Sequence, residues 1–141
     1  MEIQDIEKTF VRSGYENSVV LYVLSMLHYF KMEDSPERIK EIQSLEKKEN
    51  TTLADVSSAL EEVGFITEGF EADAVSNLDE LTNPAIIPIY TDDGLPDFAV
   101  YYGKLANKYL IGLPSWGLNL YTDWELEAIW DNHVLLEVRK P

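Results

Sequence analysis

No stretch of the chain constrains its fold more than residues 16–31, ENSVVLYVLSMLHYFK. Asn17 or Ser18 supplies an N-cap, because a short side-chain oxygen accepts the orphan amide hydrogens of a first helical turn. Val20, Val23, Leu24, Leu27 and Tyr29 or Phe30 then recur at helical spacing. These apolar side chains point in too many directions for one wall, which predicts a helix central to the core. The N-terminus of such a helix favours negative charge, and many hydrolases place a nucleophile there.

The rest of the chain arranges itself around that helix. Residues 1–15 read as a short helix or an extended lead-in, with Ile3, Ile6 and Phe10 as an apolar stripe and Gly14 as a stop. Ser35-Pro36 opens a second helix through Ile39, Ile42 and Leu45. After the polar turn at 46–50, Thr52 and Asp55 form a capping box for a third helix, whose stripe is Val56, Ala59, Leu60 and Val63 and whose stop is Gly64.

Beyond Gly64 the period changes to alternation. Strands are predicted at 65–70, 84–90, 97–103, 108–112, 118–121 and 132–138. Residues 75–81 read as a short helix or turn, and Thr122-Asp123 caps a brief helix over Trp124–Trp130. Pro88 lacks an amide donor, so the strand carrying it is expected at a sheet edge or at a bend. Asp92-Asp93-Gly94 reads as a turn and lacks the further carboxylates of a calcium loop. Helices first and an antiparallel sheet after is an α+β order, here one domain over 1–141 with a helical half to about 64 and a sheet half from 65.

Composition removes several function classes. With 141 residues and 45 % hydrophobic residues the chain can build a real core. No cysteine is present, which excludes a disulfide, a thiolate metal site and a cysteine nucleophile. His28 and His133 are scattered and read as structural rather than as metal ligands; neither a metal nor any other cofactor is implied. A net charge of −15 repels nucleic acid and suits solubility or a basic partner. No transmembrane run or signal pattern occurs, and the end at Pro141, directly after a strand-like run, is expected of a piece of a longer protein.

Four elements carry a family resemblance. An aromatic pair, Tyr29-Phe30, ends the first core helix. The loop Asn50-Thr51-Thr52-Leu53 opens a helix that finishes in Val63-Gly64-Phe65. Leu78-Asp79-Glu80-Leu81 leads to Pro84-Ala85-Ile86. The aromatic-rich helix 124–130 runs into an apolar closing strand from His133 to Val138. In order and spacing they resemble the C39 peptidases, a family with a papain-like fold found at the N-terminus of ABC exporters that trim leader peptides from bacteriocins and other peptides.

The resemblance implies where that family's catalytic groups would stand. The cysteine position falls on Ser18, with Asn17 the next choice, and the glutamine position on Arg12 or Val11. The histidine position falls on Asp97 and the aspartate position on Leu113, before Pro114. Every one is changed. A Ser18–Asp97 dyad would make a poor hydrolase, since an ordinary carboxylate is a weak base for a hydroxyl.

The implied function is therefore a degenerate, non-catalytic C39-like domain that binds a peptide or protein export substrate. It would form the cytoplasmic N-terminal part of a membrane exporter, at the inner face of the membrane, with transmembrane and ATPase domains as partners. Candidate wall residues for the peptide are Tyr15, Tyr90, Phe98, Tyr101, Tyr102 and Trp116. Two other settings fit the same scaffold: fusion to a vitamin K epoxide reductase-like membrane protein, or a free-standing accessory protein of a bacteriocin cluster.

Overall fold

The computed structural model describes residues 19–32, 36–44, 52–90, 94, 96–113 and 117–141. Helix α1 spans Val19–Tyr29, and Tyr22, Val23, Met26 and Leu27 are buried along it. It stops in a left-handed cap. Lys31 takes φ 56°, the Met32 amide reaches back to the Leu27 carbonyl at 2.8 Å, and the Lys31 amide to that of His28 at 3.2 Å. That pair of bonds satisfies carbonyls the last turn leaves open.

Helix α2 spans Pro36–Ser44, with the proline at its first position, where no amide donor is needed. Helix α3, Leu53–Glu62, starts in the expected capping box: Thr52 Oγ1 accepts from the Asp55 amide at 3.2 Å and Asp55 Oδ2 from the Thr52 amide at 2.9 Å. Gly64, at φ 102°, ends it with the same two-bond cap as α1, from the amides of Gly64 and Phe65 to the carbonyls of Glu61 and Leu60.

Six strands follow: β1 Ile66–Glu71, β2 Ala85–Tyr90, β3 Pro96–Leu105, β4 Lys108–Leu113, β5 Gly117–Tyr121 and β6 Val134–Arg139. They form one antiparallel sheet in the order β1-β6-β2-β3-β4-β5. A 3-10 turn, Val75–Glu80, and helix α4, Asp123–Ile129, interrupt the strand run. Ala106 and Asn107, at φ 50° and 64°, make the two-residue turn between β3 and β4, the hairpin geometry that matches strand twist.

The sheet is covered on both faces. Tyr22, Met26, Val56 and Leu60 pack on Ile86, Val100, Leu110 and Val138 in one cluster. On the opposite face Ile87, Ala99, Tyr101, Tyr109 and Ile111 pack under Val75 and Leu78 of the 3-10 turn and Leu126 of α4. This double burial explains why β2 and β4 read as unbroken apolar runs rather than alternating ones.

Pro88 corrects one expectation. Its strand, β2, lies inside the sheet, between β6 and β3. Yet β6 pairs β2 only at Ala85 and Ile86. The Pro88 carbonyl accepts from the Asp131 amide at 3.0 Å. In a strand a residue's nitrogen and carbonyl point to the same side, so the missing donor faces a region that β6 has already left. The ladder loses nothing there.

Candidate functional site

The site is assembled where the N-terminal part of α1 meets the start of β3. Tyr22 lies in the second turn of α1 and is 1 % exposed. Its hydroxyl donates to the Phe98 carbonyl at 3.0 Å, and its ring meets the Phe98 ring edge-on with centroids 5.9 Å apart. Asp97, the neighbouring residue, accepts the Phe98 amide on its own Oδ1 at 2.8 Å. Burial pushes the Tyr22 hydroxyl well above the usual tyrosine range; the Asp97 carboxylate beside it pushes further, and the bond to Phe98 opposes both. Tyr22 therefore stays a neutral donor that clamps helix to strand.

A second buried polar side chain lies one turn further along α1. Ser25 is fully buried; burial pushes the Tyr102 hydroxyl far above the usual tyrosine range, and Ser25 acts in the opposite sense. Tyr29 stacks at a tilt on Tyr102, centroids 5.6 Å apart, and touches Phe30 edge-on at 5.0 Å. Phe30 continues the chain of rings to Phe65 at 5.5 Å. A row of aromatic rings thus ties α1 to the sheet and to the end of α3.

The expected site residues divide between the two faces. Phe98 and Tyr102 lie on the helix side of β3 and pack against the first cluster. Tyr90 is 45 % exposed at the end of β2, opposite Pro96 and diagonal to Phe98. Tyr101 points the other way: it is buried in the second cluster and donates to the Leu78 carbonyl at 3.3 Å, so strand alternation puts it on the opposite face from Phe98 and Tyr102. Leu113 is buried in the same second cluster, at the end of β4 that lies beside the start of β3. Asn17, Ser18, Tyr15, Trp116, Arg12 and Val11 lie outside the described residues.

Tyr22 and Ser25 are the buried side chains of α1 that bear a hydroxyl, and hydrophobic spacing alone passes over both. Their signal in the sequence is a phenol and a hydroxyl, one helical turn apart, inside an otherwise apolar helix; such groups need partners when buried. Chemically, the described groups offer a neutral phenol, an alcohol and one carboxylate. Among the described residues no three His, Cys, Asp or Glu side chains gather as a metal site. His133 sits elsewhere, with Nε2 2.8 Å from the Glu127 carboxylate and its ring against Trp130.

The chain matches the Peptidase C39 family over residues 7–141. It belongs to that family. Solved C39 domains share its α+β, papain-like fold. The peptidase domain of Streptococcus ComA, a bi-functional ABC transporter involved in quorum sensing, superposes with a TM-score of 0.69 at 20 % identity, over 100 % of this chain and 95 % of that one. A double glycine motif protease from an AMS/PCAT transporter, solved with its leader peptide, gives 0.73 at 16 % identity over 93 % and 90 %. The C39-like domain of a toxin secretion ATP-binding protein from Vibrio parahaemolyticus gives 0.65 at 16 % identity over 87 % and 96 %. No curated protein sequence matches the chain.

Among the described residues no helix is long and apolar enough to cross a membrane. C39 is a cysteine peptidase family, and this member contains no cysteine.

Proposed function

We propose that this C39 domain has exchanged cleavage for binding. It would hold an extended peptide or protein export substrate against the wall of Phe98 and Tyr90, at the cytoplasmic face of a membrane exporter whose transmembrane and ATPase domains lie elsewhere in the parent protein. One observation carries the reading: the strand position beside Tyr22, where the resemblance puts the family's base, is a carboxylate, in a chain without a thiol. A thiol–imidazole pair needs its base within hydrogen-bond reach and a third group to hold that base. Asp97 spends one oxygen on its own strand, and the aspartate position, Leu113, is buried among apolar side chains.

The relative solved with a leader peptide supports a peptide ligand for this fold. An extended peptide laid on aromatic side chains at the mouth between helix and sheet needs no catalysis to be retained.

The test is to mix the chain with peptides bearing a double-glycine leader and follow both binding, by calorimetry, and cleavage, by mass spectrometry. Binding without cleavage is expected, weakened in Tyr90→Ala and Phe98→Ala. Cleavage abolished by Ser18→Ala would overturn the reading in favour of a serine-dependent hydrolase.

A further inference from the structure

The strongest unassigned feature lies at the far edge of the sheet. Strand β1 ends the strand order, and among the described residues no strand lies on its outer side. On the face it shares with α4, Ile66 and Phe70 are 47 % and 41 % exposed, flanking Glu68. Strand spacing separates the two apolar side chains by about 13 Å. Gly69 carries no side chain over the opposite face, and Ser57 of α3 holds Thr67 at 2.7 Å, so the strand is fixed rather than frayed.

The charges around this edge are mostly of one sign. Glu68 and Glu71 lie on the strand, and Glu61 and Glu62 on the neighbouring end of α3. Arg139 of β6 answers Glu68 at 2.9 Å, and Lys140 follows it at the Ile66 end. Two copies of this chain, each with a net charge of −15, would bring those acidic groups together if they paired edge to edge. A segment rich in lysine or arginine would relieve them.

We propose that the outer edge of β1 is a second docking surface, separate from the wall at Phe98, which accepts a basic, extended segment as a seventh strand. The guest's main chain completes the ladder. Apolar side chains four residues apart on the guest cover Ile66 and Phe70, with a basic side chain between them near Glu68. A further basic residue meets Glu71 across the other face.

The probe is a labelled peptide of isoleucine and lysine, with isoleucines four residues apart and lysines at the three positions between them, titrated into the whole chain and followed by fluorescence anisotropy and amide hydrogen exchange. Binding is expected, with slowed exchange over residues 66–71. The double variant Ile66→Ser/Phe70→Ser is expected to bind about tenfold more weakly, and Glu71→Lys, should the double variant fail to fold, about threefold. A glutamate–isoleucine peptide that binds equally well, or a lysine–isoleucine peptide interrupted by proline that does, overturns strand addition. So does protection that appears at 96–102 instead, or dimerisation of the free chain through β1. Phe98→Ala is expected to leave this binding unchanged, which separates it from the proposed peptide wall.

Discussion

Tyr22 donates its phenolic hydrogen to the carbonyl of Phe98, across 76 residues of sequence. That bond fixes the angle at which the central helix approaches the sheet, because the edge-on contact of the two rings accompanies it. The same contact brings a titratable phenol next to the Asp97 carboxylate at the site of interest. Scaffold and candidate chemistry are thus joined at one point.

Removing only the hydroxyl isolates that bond. Tyr22→Phe keeps the ring and loses the donor, leaving the Phe98 carbonyl short of a partner. A cost of about 1 kcal/mol is expected, read as a melting point lower by about 3 °C. Tyr22→Ala also opens a cavity in the first cluster and is expected to cost about 3–5 kcal/mol. Chemical denaturation of the two variants beside the parent chain checks the ratio; equal costs would show that the bond matters more than the packing.

The buried phenols make a pH prediction whose sign is set. Burial raises the folded-state pKa of Tyr22, Tyr29, Tyr102 and Tyr109, and that of Tyr101 to about 12, from the usual 10.0. Folded-state values above the unfolded ones mean that this stability is complete below pH 10 and drains away above it. The Tyr101 share goes between about 10 and 12. Tyrosinate absorbance should therefore lag in the folded chain and then rise together with loss of secondary structure. A smooth titration near pH 10 with the fold intact would contradict this.

Much of the framework is legible in the sequence. The caps at Thr52 and Thr122 and the stop at Gly64 are local, and local chemistry decides them. The two faces of the sheet were not legible. Nothing in the run from Ala99 to Tyr102 tells which tyrosine turns toward α1, since both faces are apolar. Composition therefore groups Tyr101 with Phe98 and Tyr102, although alternation sends it to the far side. Pro88 misled for a related reason: the rule against proline inside a sheet concerns hydrogen bonds, and β6 stops before it reaches that residue. The Tyr22–Phe98 contact is tertiary, and helical spacing carries no trace of it.

The turn between β3 and β4 offers a stabilising change. Ala106 is held at φ 50°, a region an alanine side chain resists and a glycine or asparagine accepts. Ala106→Asn should relieve this strain and raise stability by about 0.5–1 kcal/mol. Thermal melting of the single variant is sufficient to see it, and a lower melting point would mean that the alanine methyl makes a contact worth more than the strain.

Capping should behave in the opposite sense. The Thr122 hydroxyl accepts from the Glu125 amide at 3.4 Å, and the Glu125 carboxylate accepts the Thr122 amide at 2.9 Å. These bonds hold the Glu125 carboxyl below its usual range. A depressed folded-state pKa gives stability that is present above the ordinary glutamate value and is lost as pH falls through the lowered one. Thr122→Ala is expected to cost about 1 kcal/mol and to return the Glu125 titration, followed by NMR, toward that of an unstructured glutamate.

The last prediction concerns what rebuilding the lost chemistry requires. If the first turn of α1 and the start of β3 share one cleft, Ser18→Cys alone places a thiol near Asp97 and the Tyr22 hydroxyl. An anionic neighbour disfavours a thiolate, so its alkylation by iodoacetamide should titrate at or above the range of a free cysteine. Adding Asp97→His puts an imidazole where the carboxylate stood, and a protonated imidazole favours the thiolate. The alkylation profile of S18C/D97H should then shift to lower pH than that of S18C, while peptide cleavage stays weak, because Leu113 cannot orient the new base. Identical profiles for the two variants would place residue 18 out of reach of residue 97, and the family's catalytic register would then have to be sought at Asn17.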